Sequence, residues 1–137
     1  MSSEFYVQLF ESGNEKLIDT KKVTEIIERR NFIKKDDYYE VIFDNENSTI
    51  INISSSLNQL SSITVSRPCL DKELGNLLFE IMALDNFILY VPEGHYPIVL
   101  YKKVISNLPE GMIATIGTPM IAKDKKEFND LLEQIYN

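Results

Sequence analysis

The chain holds one histidine and one cysteine, His95 and Cys69, so any chemistry must come mainly from carboxylates, amines, hydroxyls and phenols. A lone histidine cannot make a two-histidine zinc motif or a paired imidazole acid–base site. A lone cysteine closes no internal disulfide, and a nucleophilic thiol would need His95 beside it. The simpler expectation for Cys69 is a buried or partly buried thiol that packs as a small hydrophobe. The five glycines form no phosphate-cradling loop, dinucleotide fingerprint or nucleophile elbow. Asp36-Asp37 and Asp44-Asn45-Glu46 hold fragments of a calcium loop without its turn glycine or its spaced ligands. The expectation is therefore no catalysis, no metal and no cofactor.

Two segments have the residue types of a binding surface instead. Pro92-Glu93-Gly94-His95-Tyr96-Pro97 joins two apolar runs, so a rigid scaffold would present it. It combines an acid, an aromatic and a histidine, the side chain whose unperturbed pKa lies nearest neutrality. Asp36-Asp37-Tyr38-Tyr39-Glu40 places three carboxylates around two tyrosines at the start of a strand. Tyrosine is an efficient contact residue and carboxylates steer a basic partner. The partner-binding candidates are thus Asp36, Asp37, Tyr38, Tyr39, Glu40, Glu93, His95 and Tyr96. The plainer alternatives are a connector whose Tyr96 packs back on the sheet, and a strand in which one tyrosine belongs to the core.

The elements that must position these segments can be read from periodicity. Phe5, Val7 and Leu9 alternate with Tyr6, Gln8 and Phe10, which predicts a first strand. Thr20 is a candidate cap for a helix that buries Val23, Ile26 and Ile27 and ends near Asn31. Tyr38–Phe43 and Thr49–Ile53 flank a polar turn and read as a hairpin, with Tyr39, Val41 and Phe43 on one side. Residues 54–62 read as a loop or weak strand edge, and Ile63–Val65 as a strand stopped by Pro68. Asp71 caps the clearest helix, whose stripe is Leu74, Leu77, Leu78, Ile81 and Met82. Gly75 inside that stripe sacrifices about 1 kcal/mol against alanine, which predicts a close packing contact there. Phe87–Val91 is nearly continuous in apolar residues and suits a central strand buried on both faces. Ile98–Tyr101 is a further strand, Leu108-Pro109 starts a short helical turn, and Met120–Ala122 is a final edge strand. Asp124 with Glu127 makes a capping pair for a last helix that buries Phe128, Leu131, Leu132 and Ile135.

This order predicts an α+β fold. A mixed, mostly antiparallel sheet carries three main helices in a single pair of layers, and residues 1–137 form one domain. The length of 137 residues fits one domain. The 44 % apolar and 26 % charged content is that of an ordinary globular chain. No signal peptide or membrane-length apolar run is read, so the expected location is the cytoplasm. The net charge is −7, and the Lys/Arg clusters are short and flanked by acids. Neither nucleic acid nor a membrane is an expected partner.

Four stretches together resemble a known family. They are Val65-Ser-Arg-Pro-Cys69, the Asp71–Met82 helix, Asn86-Phe-Ile-Leu-Tyr-Val-Pro-Glu-Gly94, and Leu108-Pro-Glu-Gly-Met-Ile-Ala-Thr-Ile-Gly117. In layout they are similar to the small acidic bacterial immunity proteins, antidotes to toxins exchanged between competing bacteria. The resemblance covers about the second half of the chain. It implies a non-catalytic inhibitor that neutralises a cognate protein toxin, such as a basic nuclease, in a stoichiometric complex. An acidic inhibitor would be steered to a basic toxin by its field. The alternative function is a small-ligand-binding or regulatory domain, as a homodimer, whose pocket Phe87–Val91 and Ile98–Tyr101 would line. A deep pocket with convergent polar groups would favour that alternative.

Overall fold

The computed structural model describes residues 4–53, 55–69, 71–92 and 96–136. In chain order the first elements are β1 (Phe5–Glu11), β2 (Asn14–Glu15), β3 (Ile18–Asp19), α1 (Thr20–Ile27), β4 (Phe32–Lys34), β5 (Tyr38–Ile42) and β6 (Ser48–Ile53). They are followed by β7 (Gln59–Leu60), β8 (Ser62–Ser66), α2 (Lys72–Met82), β9 (Phe87–Tyr90) and β10 (Ile98–Val99). A 3-10 helix (Lys102–Asn107), α3 (Met112–Ile116), β11 (Met120–Ile121) and α4 (Lys125–Tyr136) complete the chain. The fold is α+β. Its main sheet has the order β11-β10-β9-β1-β8-β6-β5-β4, with β2 attached to β1. The β10–β11 pair is parallel and the other strand pairs are antiparallel.

Alternation in β1 assigns the two sides of the sheet. Phe5, Val7 and Leu9 join the large core with α1, α2 and α4, whose buried residues include Val23, Ile27, Leu74, Leu78, Ile81, Phe128 and Leu132. Phe10 points the other way into a second core with Ile88, Val99, Val104 and Leu108, against which Met112, Ile113 and Ile116 pack. The three main helices therefore cover one face. The 3-10 helix and α3 add a small cap on the opposite face, over the β1-β9-β10 end only. β9 is buried on both sides over Phe87, Ile88 and Leu89 because it lies under this cap, as its nearly continuous apolar run predicts, while Tyr90 is half-buried.

Helix starts follow side-chain chemistry. Asp71 Oδ1 accepts from the Glu73 amide at 2.8 Å. Asp124 Oδ1 accepts from the Glu127 amide at 2.8 Å, and Glu127 reaches back to the Lys123 amide at 3.1 Å. At α1 the cap is Asp19, which accepts from the Lys21 amide at 3.0 Å, and not Thr20. Thr20 is already helical, and its hydroxyl meets Ser55 Oγ at 2.7 Å. This helix ends at Ile27, short of Asn31. The Asn31 carbonyl instead accepts from the Ile42 amide at 2.9 Å, and the chain straightens into β4.

Other boundaries also move. Ile98–Tyr101 contracts to the two residues of β10, because Tyr101 opens the 3-10 helix. Leu108 is extended, and the helical turn expected at Leu108-Pro109 begins at Met112. Gly75 meets the expected close contact. A methyl group at its Cα would overlap the Asn129 side chain of α4, so the absence of a Cβ lets α2 and α4 approach.

Candidate protein-binding face

Among the described residues, the small cap leaves part of the sheet uncovered on the side away from the main helices. The register places Tyr90, Tyr6, Thr64, Asn52 and Tyr38 in one row across β9, β1, β8, β6 and β5. All five are half-buried. At roughly 4.8 Å per strand the row spans about 19 Å. Beside it Ser66, Ile50, Glu40 and Ile33 form a second row across β8, β6, β5 and β4. Tyr6 and Tyr90 pack as a tilted ring pair with centroids 5.5 Å apart.

Hydrogen bonds hold these side chains in place. Tyr90 donates to Gln8 Oε1 at 3.0 Å. Glu4 accepts from the Tyr6 hydroxyl at 3.2 Å and from Ser66 Oγ at 2.9 Å. Asn52 Nδ2 donates to Ser66 Oγ at 2.9 Å, and Ser48 Oγ donates to Glu40 at 3.0 Å. Arg67 approaches Glu40 at 3.9 Å. Burial, and next the neighbouring Tyr6, push the Tyr90 phenol above its ordinary range, so its neutral hydroxyl persists well beyond neutral pH. The surface combines phenols, amides and carboxylates in fixed positions.

The residues singled out from sequence fall in different places. Asp36 and Asp37 are exposed at the tip joining β4 to β5. Tyr38 and Glu40 lie on the open face. Tyr39 departs from the expectation of a contact residue. It is 4 % exposed, faces the helices, and donates to Glu28 Oε2 at 2.6 Å. The reason is strand alternation, which sends Tyr38 and Tyr39 to opposite sides. Tyr96 is 60 % exposed, yet its ring lies beside Gly117, where an added Cβ would stand 3.3 Å from it. Glu93 and His95 lie outside the described residues. Of the described candidates, Tyr96 precedes β10 and Tyr38 lies in β5, and these strands are five apart in the sheet order. The Tyr38-to-Tyr90 row connects these two wings. Tyr6, Asn52, Thr64 and Tyr90 escaped sequence reading because only the register brings them together. The outward half of β1's alternation was their one local signal.

Concavities among the described residues include one of about 650 Å³ lined by Lys34, Lys35, Asp36, Asp37 and Tyr38, and two others that flank this architecture. On the open side a cleft of about 640 Å³ lies where α3 meets the sheet, lined among others by Gln8, Phe10, Tyr90, Glu110, Met112 and Ile116. On the helix side a groove of about 780 Å³ runs between α2 and α4, with Cys69, Lys72, Asn76, Lys126, Asn129 and Leu132 among its walls. The Cys69 thiol is half-buried, and burial followed by the charge of Asp71 pushes its pKa up, which suits packing and not nucleophilic attack. Phe87–Leu89 and Ile98–Val99 are core residues, so the groove lies elsewhere than the strands expected to line a pocket. Among the described residues no group of three His, Cys, Asp or Glu side chains is placed to hold a metal ion. No described helix is long and apolar enough to cross a membrane.

The chain matches no protein-family model, no curated protein and no solved structure.

Proposed function

We propose that this protein is a non-catalytic protein-binding inhibitor that engages a basic partner in a stoichiometric complex. The observation that carries this reading is the uncovered sheet face, with Tyr6, Tyr38 and Tyr90 set among Glu4 and Glu40. Tyrosines held by packing lose little freedom on binding and serve as anchors. Carboxylates beside them, within a chain of net charge −7, favour a cationic partner. The resemblance to immunity proteins gives the finer form of the proposal, in which the partner is a toxin encoded beside this chain.

The test is size-exclusion chromatography with light scattering on a mixture of this protein and the polypeptide encoded next to it. The expected result is a complex of fixed stoichiometry that weakens between about 0.1 M and about 0.5 M salt, as screening shortens from ~10 Å to a few Å. Tyr6→Ala with Tyr38→Ala should weaken it at least about tenfold. No complex overturns the antidote reading, and a complex indifferent to both tyrosines overturns the assignment of the face.

A second reading, small-ligand binding, is favoured by the α2–α4 groove, whose lining includes amides, amines and carboxylates together with Phe5 and Leu132. Thermal-shift screening against small polar molecules tests it, with Asn76→Leu as the variant expected to abolish a response.

A further inference from the structure

We infer that the cleft between α3 and the open sheet face is a socket for one arginine side chain of the protein partner. The inference rests on the protein-binding reading above and specifies what that partner presents.

The cleft's lining fits a side chain with an apolar stem and a cationic end. Phe10, Met112 and Ile116 give apolar walls for a methylene stem, and Pro92 and Pro109 stiffen the rim. Glu110 is the one charged residue among the described lining residues, and it has no ion-pair partner among them. Tyr90 adds an aromatic ring, and Gln8 a carbonyl oxygen that accepts from the Tyr90 hydroxyl and retains a second lone pair. A carboxylate, a π face and a carbonyl acceptor are the three features a planar guanidinium satisfies together. An ammonium lacks the planar stacking, and an anion would face Glu110 with no compensating cation from the described lining. The cleft adjoins the tyrosine row through Tyr90, so an arginine seated here is continuous with a partner lying on the open face.

The test needs no partner. N-acetyl-arginine methylamide, with the glutamate analogue as control, is titrated into the 15N-labelled full chain and followed by NMR. The expected result is a saturable shift confined to Gln8, Tyr90 and the Glu110–Met112 amides, absent with the glutamate analogue. Glu110→Gln should weaken it about fivefold, and Tyr90→Leu by a similar factor. The folded state of each variant is checked by its amide spectrum. Shifts scattered over the acidic surface, or no saturable shift, overturn the socket. That outcome leaves the complex-formation assay as the separate test of the protein-binding reading.

Discussion

Tyr39 shows how much one residue's environment depends on a single step along a strand. Its phenol is buried, and burial together with the carboxylate of Glu28 raises its pKa from 10.0 to about 12. The folded state therefore prefers the neutral phenol more strongly than the unfolded chain does. This contribution is fully present below the unfolded value and is lost as pH rises from about 10 toward about 12. Tyr39→Phe should cost about 1 kcal/mol at neutral pH through the lost hydrogen bond. It should also flatten the alkaline fall in stability, as measured by urea unfolding at about pH 8 and about pH 11. The sequence contained the tyrosine pair and the alternation, so a core tyrosine at this position was legible. Its partner was not, because Glu28 is the C-cap of α1 and local periodicity says nothing about which helix covers which strand.

At the scale of elements, the α2–α4 contact is the clearest test of packing logic. Gly75 costs α2 about 1 kcal/mol of intrinsic helix propensity. In return the Asn129 amide occupies the space of the missing Cβ while donating to Asn76 Oδ1 at 3.2 Å and to the Lys125 carbonyl at 2.9 Å. Gly75→Ala should destabilise the protein by about 1–2 kcal/mol despite its better propensity. The double variant with Asn129→Ala should recover most of that loss, and a chemical-denaturation cycle over the four proteins measures the coupling. Strictly additive effects would show that the two residues do not compete for space. Gly75 was readable as an anomaly inside an apolar stripe, whereas the identity of the occupant was not. The opposite case is the Ser56–Gln59 turn. Leu57 and Asn58 both take positive φ there, and Leu57 is 93 % exposed. No glycine marks this turn, so although residues 54–62 read as a loop and Asn58 suits a positive φ, the position of the turn was not legible.

At the scale of the whole molecule, Glu80 joins three helices. Arg30, just beyond α1, donates to both its oxygens at 3.2 and 2.8 Å, and Lys125 of α4 donates at 3.3 Å. The hydrogen bond from Arg30 is the main cause of its depressed pKa, with Lys125 adding to it. A depressed carboxyl favours folding once ionised. Its contribution is complete above the ordinary value of 4.5 and disappears as pH falls through the lower folded value. Glu80→Gln should cost about 1–2 kcal/mol at neutral pH. It should also reduce the steepness of acid unfolding below about pH 4.5, followed by far-UV dichroism. An unchanged acid transition would show that the cluster contributes no stability.

The sequence by itself determined the class of fold, the order of the main elements, two of the helix caps, the core stripes and the exceptional place of Gly75. These features rest on periods of two and 3.6 and on caps that bond within three residues, so they are encoded locally. Tertiary structure alone decided that β1 sits between β8 and β9, that β4 forms an edge, and that α3 covers only one end of the second face. It also decided that Tyr6, Tyr38 and Tyr90, drawn from three separate segments, share one row. Strand order depends on long-range pairing, whose partners are chosen by total burial and twist and leave no mark within a short window of residues. The proposed contact surface is a product of that register, which is why its residues had to be found in three dimensions.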